Sequence, residues 1–320
     1  MRPLRVGVLG CAGIARRRML PAFAAAPDTE VTAVASRDAE QARRTAEPYG
    51  ARPVHGYAAL LERDDVDAVY VPLPAALHAR WTEAALRAGK HVLAEKPLSL
   101  EPAATAALFK LARDRGLVLM ENVMFVHHPQ HAAVRRLVAE GAIGELRGFG
   151  AAFAIPEPPP DDIRLDPELG GGALWDVGVY PVRAALHLLG PDLEVAGAAL
   201  EHGPGQRVET AGAALLRTAS GVLAHLSFGM RHAYRNTYEL WGSEGRITVD
   251  RVFTPPADHR PVVRIERAAG TEELLLDAAD QVAATVRAFA RGVRRGHIPF
   301  ADESLRQALV LESLRHRARH

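Results

Sequence analysis

The 320-residue chain lacks several features that would point to particular classes of protein. Cys11 is its only cysteine, which excludes an internal disulfide and a cluster of thiolate metal ligands. Lys+Arg 39 against Asp+Glu 38 leaves a formal charge of +1, so no basic surface points to nucleic acid or an anionic membrane. No apolar run approaches the ~20 residues of a membrane-spanning helix, and no apolar signal region follows Met1. These absences predict a cytoplasmic protein with neither nucleic-acid nor membrane partners.

Length and periodicity predict two domains, at residues 1–122 and 123–320, since a domain averages ~150 residues. The first part alternates short apolar runs with helix-length segments, a pattern typical of a doubly wound parallel sheet of the Rossmann type. Pro21 interrupts the first helical segment, so we expect a kink or an early stop there. The predicted strands are 4–9, 31–35, 68–71, 91–94 and 117–120.

The second part of the chain follows a different pattern. After one helical segment, strand follows strand with few helices between them, which indicates an α+β domain with a large, mostly antiparallel open sheet. Helical patterns at 281–294 and 302–317 close the chain, and we expect them to pack against the first domain or the domain junction. The predicted strands are 145–155, 193–200, 209–217, 222–228, 237–241 and 246–250.

A turn rich in small residues follows the first predicted strand, where dinucleotide-binding domains hold a pyrophosphate. Its first glycine permits a tight bend, and the next small residues let backbone N–H groups approach the phosphates. The usual second glycine of the motif is an alanine here, with a glycine one place later. A tight turn without a ligand is the alternative interpretation. The turn consists of Gly10, Cys11, Ala12, Gly13 and Ile14.

The end of the second predicted strand bears on the choice of cofactor. Ser36 and Arg37 lie where an acidic residue would select NAD by binding the adenosine 2′-hydroxyl. A hydroxyl and a guanidinium suit a 2′-phosphate instead, which predicts NADPH. The alternative is that Arg37 is a solvated charge at the end of a strand.

Lysine is scarce, and one lysine lies in an informative place. Lys90, Lys96 and Lys110 are the only three in the chain, and Lys96 follows the predicted strand 91–94 in the run Glu95-Lys96-Pro97. Ligands of parallel sheets bind beyond the carboxyl ends of the strands. An ammonium group there can stabilise and protonate the oxygen of a ketone that receives a hydride. A structural ion pair of Lys96 with a carboxylate is the alternative.

A second pair of candidate groups follows three consecutive glycines, Gly170 to Gly172. Asp176 and Tyr180 are four residues apart, which places both on one face of a helix, ~5–6 Å apart at Cβ. The glycines would let this helix approach a ligand closely. Tyr180 is a candidate proton donor or substrate contact, and Asp176 a candidate for positioning Lys96 or the sugar. A buried tyrosine with a satisfied hydroxyl is the alternative.

Together these motifs resemble the glucose–fructose oxidoreductase/inositol dehydrogenase/MocA family over essentially the whole chain. The tyrosine at 180, where many members have histidine, is similar to that of the nucleotide-sugar 3-ketoreductases of deoxysugar biosynthesis. The motifs are Gly10-x-Ala12-Gly13-Ile14-Ala15, Glu95-Lys96-Pro97, Glu121-Asn122 and Gly170-Gly171-Gly172-x3-Asp176-x-Gly178-x-Tyr180-Pro181.

The resemblance implies an NADPH-dependent enzyme that reduces the C-3 ketone of a dTDP-3,4-diketo-2,6-dideoxyhexose to a dTDP-4-keto-2,6-dideoxyhexose. It implies Lys96 as the main acid, Tyr180 as its companion, and a cis bond between Lys96 and Pro97. It also implies a homodimer or homotetramer formed through the open sheet. Further cofactor contacts implied by the resemblance are Leu73, Pro74, His78, Glu95, Asn122 and Arg164.

Several alternatives stay open at this level. The chain would otherwise be a dehydrogenase of a free sugar, polyol or dihydrodiol, or a non-catalytic NADPH sensor. Tyr234 and Arg235 are candidates for a nucleotide diphosphate contact or for an interface. His127, His128 and His131 resemble a metal cluster, but no acid or thiol lies at ligand spacing, so we expect no metal and one histidine facing the substrate.

Overall fold

The computed structural model describes residues 2–297 and 301–318. The chain divides into two compact units, Met1–Val123 with Val282–Leu305 and Met124–Gln281 with Arg306–His320. Within the described ranges, none of the helices has the length and apolar character needed to cross a bilayer.

The first unit is built on a six-stranded parallel sheet, which confirms the predicted Rossmann architecture. The strand order β3-β2-β1-β4-β5-β6 reverses direction between β1 and β4, the point at which such sheets bind nucleotides. The predicted bounds of β1 and β4 are confirmed, whereas β3 is an additional edge strand. The strands are β1 (Leu4–Leu9), β2 (Thr29–Ser36), β3 (Arg52–His55), β4 (Ala68–Val71), β5 (His91–Glu95) and β6 (Leu119–Asn122).

Five helices connect these strands, and the buried strand residues are almost all apolar because side chains cover both faces of the sheet. Asp38 caps the second helix by accepting hydrogen bonds from the N–H groups of Glu40 and Gln41 at 2.9 and 3.1 Å. The helices are α1 (Leu20–Ala25), α2 (Ala39–Ala46), α3 (Tyr57–Leu61), α4 (Ala75–Arg87) and α5 (Pro102–Asp114).

The irregularity expected at Pro21 lies one turn earlier in the chain. Residues Ala15–Met19 form a π-helical turn, in which the Leu20 N–H donates to the Ala15 carbonyl five residues back. Pro21 then occupies the first turn of α1, where its missing N–H costs little. The proline therefore starts a regular helix, and the widened turn before it absorbs the distortion.

The second unit contains an eight-stranded sheet of order β14-β13-β12-β11-β7-β10-β9-β8. The pair β7–β10 is parallel and the other neighbouring pairs are antiparallel, which confirms the predicted mostly antiparallel sheet. The strands β13 and β14 were absent from the prediction. The strands are β7 (Leu146–Ala154), β8 (Leu193–Glu201), β9 (Ala211–Thr218), β10 (Leu223–Gly229), β11 (Arg235–Gly242), β12 (Gly245–Asp250), β13 (Val262–Arg267) and β14 (Gly270–Leu275).

Four more helices complete the described chain: α6 (Pro129–Ala139), α7 (Val179–Leu189), α8 (Gln281–Arg295) and α9 (Ala301–Arg317). α7 packs on β7 and β10. A second π-helical turn, Leu174–Gly178, leads directly into it. Pro181 lies in the first turn of α7, as Pro21 lies in the first turn of α1. Asp176 and Tyr180 are thus separated by part of a widened turn, and the spacing of a regular helix does not apply to them.

Candidate active site

The turn after β1 meets the turn after β4 at the point where the strand order reverses. Gly10 has φ +118°, and a Cβ on it would lie 2.9 Å from Cδ2 of Leu73. Only glycine fits this combination of backbone conformation and close contact. Leu73 and Pro74 belong to the turn between β4 and α4. The structure therefore brings together Gly10 and Leu73, two of the residues predicted to bind cofactor.

The rest of the glycine turn leads straight into a helix that begins at Gly13. The first N–H groups of a helix have no partner within it, which leaves those near Gly13 and Ile14 free to bind an anion. Cys11 is buried, with Sγ 3.7 Å from the Gln41 carbonyl oxygen. Ala12 replaces the motif's second glycine while its carbonyl accepts a hydrogen bond from the Arg16 N–H at 3.1 Å. The turn thus passes from β1 into the helix start at Gly13 within three residues.

Ser36 and Arg37 lie at the end of β2 in different environments. The Ser36 hydroxyl is buried, donates to Oε1 of Gln41 at 3.0 Å and accepts from the Asp38 N–H at 3.1 Å. The Arg37 side chain is exposed. The nearby carboxylate of Asp38 is engaged in capping α2, so its charge is directed at a helix N-terminus. Arg37 thus places an exposed cation at the end of β2.

A buried carboxylate joins the carboxyl ends of three neighbouring strands. Glu95, at the end of β5, accepts hydrogen bonds from the Tyr70 hydroxyl at 2.5 Å and from Nδ2 of Asn122 at 2.6 Å. Glu121 accepts from the Leu98 N–H at 2.9 Å, just beyond the Lys96–Pro97 bond. These contacts fix the backbone on both sides of Lys96.

Lys96 is half-buried, and its bond to Pro97 is cis, which confirms the expectation from the family resemblance. Close by, the ring of His78 bridges two carbonyl oxygens, with Nδ1 2.7 Å from Pro97 and Nε2 2.6 Å from Leu73. Burial lowers the pKa of His78, and the charge of Lys96 lowers it further. His78 is 1% exposed, so it links the turn after β4 to the turn after β5 from inside the protein.

In the second unit, the glycines before Asp176 make room for other parts of the protein. A Cβ on Gly171 would lie 2.5 Å from the Arg164 carbonyl oxygen, and a Cβ on Gly172 would overlap the carboxylate of Glu209. Glu209 accepts a hydrogen bond from the Leu174 N–H at 3.1 Å, and burial raises its pKa. Gly171 and Gly172 thus allow close internal packing around the helix start.

Arg164 and Asp176 form an ion pair. Nε of Arg164 donates to Oδ2 of Asp176 at 2.7 Å, and Nη1 donates to Oδ2 of Asp162 at 3.1 Å. The charge of Asp176 raises the pKa of Arg164. The structure therefore joins a predicted cofactor contact to a predicted catalytic residue.

Tyr180 is half-buried among aromatic rings. Its ring centroid lies 4.9 Å from that of Phe153, 5.6 Å from that of Phe253 and 6.1 Å from that of Phe125. Phe153 also contacts the ring of Tyr234, with centroids 6.4 Å apart. The structure thus places Tyr180 and Tyr234 next to the same phenylalanine.

The remaining predicted residues of this unit take varied positions. Tyr234 is 49% exposed, and its hydroxyl accepts from Nδ2 of Asn236 at 2.9 Å. Arg235 is exposed at the start of β11.

The three histidines of the apparent metal cluster do not point to a metal. His128 and His131 are buried, and Nδ1 of His131 lies 3.0 Å from the Tyr238 hydroxyl. Burial lowers the pKa of His131 well below its ordinary value, and the charges of His187 and His128 add to the effect. In the part of the chain that the structure describes, no group of three or more His, Cys, Asp or Glu side chains is arranged to hold a metal ion.

Sequence reasoning missed the residues that support the site. Tyr70 was detectable, because a tyrosine in the otherwise apolar strand Ala68–Val71 needs a partner for its hydroxyl. Glu209 carried no such signal, since it contacts Leu174 across 35 residues of sequence. Tyr57 begins α3, and nothing in the sequence around it indicates its neighbours.

Comparison with known proteins agrees with this geometry. Residues 4–123 match the model of an oxidoreductase family with an NAD-binding Rossmann fold, and residues 131–248 match the GFO/IDH/MocA C-terminal domain. A dTDP-3,4-didehydro-2,6-dideoxy-α-D-glucose 3-reductase from Streptomyces violaceoruber is 60% identical, over 92% of this chain and 86% of its own. The enzyme of the same name from Actinomadura kijaniata is 57% identical, over 99% and 96% of the two chains.

A solved structure gives the same result in three dimensions. The crystal structure of a 3-ketoreductase from Actinomadura kijaniata, in complex with NADP and TDP-benzene, superposes with a TM-score of 0.97. It is 56% identical and covers 99% of this chain and 98% of its own.

Proposed function

Because this chain belongs to the GFO/IDH/MocA oxidoreductase family, we propose that it reduces the C-3 ketone of a dTDP-3,4-diketo-2,6-dideoxyhexose with NADPH. The product is a dTDP-4-keto-2,6-dideoxyhexose. The similar enzymes from Streptomyces violaceoruber and Actinomadura kijaniata act on this class of sugar nucleotide. The observation that carries the proposal is the Glu95–Lys96–Pro97 turn, which holds an ammonium group at the carboxyl edge of a Rossmann sheet.

The residues of the first unit fit the cofactor. The bend at Gly10 leads the chain into the helix start at Gly13, which supplies backbone N–H groups for a pyrophosphate. Arg37 supplies a cation for the 2′-phosphate, and the carboxylate of Asp38 is engaged elsewhere. The turn holding Leu73 and Pro74 and the side chain of Asn122 are assigned to the nicotinamide side.

Lys96 is assigned the role of the general acid. Bound NADPH supplies a hydride to the carbon of the ketone. The ammonium of Lys96 stabilises the negative charge that develops on the ketone oxygen and donates the proton that completes the alcohol. Glu95, held by Tyr70 and Asn122, fixes the backbone from which Lys96 projects.

Two residues of the second unit are assigned supporting roles. Tyr180 offers a phenolic O–H as the second donor, and the surrounding phenylalanines restrict its ring to one orientation. Asp176 is held by Arg164, so its carboxylate is kept in place for the substrate. The exposed Tyr234 and Arg235 are assigned to the nucleotide part of the substrate.

The test is turnover of the diketo sugar nucleotide, prepared in situ and followed by the loss of NADPH absorbance. Lys96→Ala should lower kcat by about 10²–10⁴-fold, the usual contribution of a general acid. The dissociation constant of NADPH should change little, because the phosphates are bound by other residues. Tyr180→Phe should cost less.

Lys110→Ala is the matched control, because Lys110 is an exposed lysine paired with Asp114 at 2.6 Å. Lys90 is unsuitable, since its buried ammonium binds two backbone carbonyls. A Lys96→Ala enzyme that keeps a near-normal kcat rejects the assignment. Faster oxidation of free sugars, polyols or dihydrodiols with NADP⁺ would favour the dehydrogenase alternative, and no turnover of any substrate would favour the sensor.

We further propose a cytoplasmic homodimer or homotetramer formed through the exposed face of the eight-stranded sheet. Leu223 on β10 and Trp241 on β11 both lie opposite Gly148 of β7. Trp241 is 63% exposed and Leu223 is 40% exposed, and no side chain at Gly148 stands between them. Large apolar side chains exposed on neighbouring strands support the choice of this face as a protein interface.

A further inference from the structure

The turn between β3 and α3, His55-Gly56-Tyr57, lies directly against the end of β2. β3 runs parallel to β2, with His55 paired with Ser36. The Gly56 N–H donates to the Ser36 carbonyl at 2.8 Å. Nε2 of His55 lies 3.0 Å from the Arg37 carbonyl oxygen. Since a carbonyl only accepts, this nitrogen carries the proton and donates. Both carbonyls of the Ser36-Arg37 pair are therefore held by this turn.

The third residue of the turn reaches the Arg37 side chain. The Tyr57 ring stands edge-on to Trp81, with centroids 5.0 Å apart and planes at 84°. Burial raises the pKa of the Tyr57 phenol, and the charge of the nearby Arg37 guanidinium lowers it. The thiol of Cys11 also lies near enough to affect this pKa. The phenol therefore faces both Arg37 and the glycine turn.

The orientation of Arg37 matters because an unrestrained arginine side chain loses conformational entropy when it binds a phosphate. An exposed arginine side chain has many rotamers, and fixing it on a phosphate costs entropy. The guanidinium has five N–H donors, so a contact with one phenol leaves donors for a phosphate. The Ser36 hydroxyl proton is committed to Gln41. The preference for a 2′-phosphate thus depends mainly on how well Arg37 is oriented.

We propose that His55 and Tyr57 are positioning residues for cofactor specificity: they hold the backbone and guanidinium of Arg37 in the orientation that binds the 2′-phosphate of NADPH. This inference rests on the proposed NADPH-dependent function and adds the device by which the 2′-phosphate is distinguished from a hydroxyl. Neither residue takes part in the chemical step, so their effect is confined to the binding of one cofactor.

The experiment measures dissociation constants of NADPH and NADH in parallel by fluorescence titration of the full chain. Tyr57→Phe should weaken NADPH about fivefold, the net effect of one ordinary polar contact, and leave NADH unchanged within about twofold. His55→Ala should weaken NADPH by a similar or smaller factor. Adding Tyr57→Phe to an Arg37→Ala enzyme should change neither constant, because the guanidinium that Tyr57 holds is already gone.

Tyr49→Phe is the control, a partly buried tyrosine elsewhere in the same unit. An equal loss of NADPH and NADH affinity in Tyr57→Phe would show that the residue only supports the fold, and this would overturn the proposal. No change in either constant would overturn it too. The wild-type chain tests the premise separately: equal affinity for the two cofactors refutes NADPH selectivity itself, and with it the proposed positioning role.

Discussion

Gly172→Ala tests whether the helix carrying Asp176 and Tyr180 is positioned by internal packing. Gly172 has φ +120°, where an alanine costs ~1–2 kcal/mol. Its Cβ would also lie 2.8 Å from Cδ of Glu209 and 2.9 Å from Oε2, and an overlap of this kind costs ~1–3 kcal/mol. We expect the free energy of unfolding to fall by about 2–5 kcal/mol in urea denaturation followed by circular dichroism.

The same substitution should lower kcat at temperatures well below the unfolding transition. To make room for the methyl group, Glu209 must move and release the Leu174 N–H, which lies at the start of the π-helical turn. Asp176 and Tyr180 follow within six residues, so their side chains move with that turn. The affinity for NADPH should fall less than kcat, because the residues assigned to the phosphates lie in the unchanged first unit and only Arg164, the partner of Asp176, is affected.

A double-mutant cycle separates the two contributions. Glu209→Ala removes the overlapping carboxylate, so the double variant should be more stable than the sum of the single effects by about 1–3 kcal/mol. Gly171→Ala is the contrasting control. Its Cβ would meet backbone oxygens of Arg164 and Asp166 at 2.5 and 2.8 Å, and a change at Glu209 cannot relieve that overlap. If Gly172→Ala and Glu209→Ala add within about 0.5 kcal/mol, the packing argument is wrong.

Two further predictions concern stability in acid and assembly. Burial lowers the pKa of His131 in the folded state, so below about pH 6.5 the unfolded state binds the extra proton and stability falls by up to ~1.4 kcal/mol per pH unit. Urea denaturation at pH 7 and pH 5.5 should show this loss, and an equal loss in His131→Gln would contradict the assignment. Trp241→Glu should shift the sedimentation of the chain toward monomer without changing NADPH affinity, whereas Arg147→Glu, at an exposed position near the start of β7, should shift it less. An unchanged sedimentation coefficient for Trp241→Glu would exclude this face as the interface.

The central strands of both sheets were predictable because they are buried on both faces or alternate strictly. Leu4–Leu9 and Ala68–Val71 consist almost wholly of apolar residues, and few structures other than a parallel strand accommodate such a run next to a glycine turn. The glycine turn, Lys96 and the Gly-Gly-Gly segment are each recognisable from a few consecutive residues. The sequence alone therefore predicts which strand or helix each of them adjoins.

The edge strands could not be predicted in the same way. β3 has the sequence Arg-Pro-Val-His, and its residues are exposed or half-buried. Proline is tolerated there because an edge strand pairs on only one side. β14 is exposed along nearly its whole length, so no apolar pattern marks it. These two strands form because their backbones hydrogen-bond to a neighbouring strand, β3 to β2 and β14 to β13. Their side chains contribute little to strand formation.

The same distinction explains why the site was only half predictable. Lys96, Tyr180 and Asp176 belong to recognisable motifs, whereas the groups that hold them come from distant segments. Glu95 is fixed by Tyr70, 25 residues away, and the start of the helix carrying Tyr180 is fixed by Glu209, 35 residues from Leu174. In each unit a carboxylate, buried at Glu95 and half-buried at Glu209, holds the backbone beside a candidate proton donor. Because such a carboxylate must be satisfied by its neighbours to be buried at all, it fixes their positions as firmly as its own. A local motif can therefore name the donor, while the precision of its placement depends on pairings that only the folded chain contains.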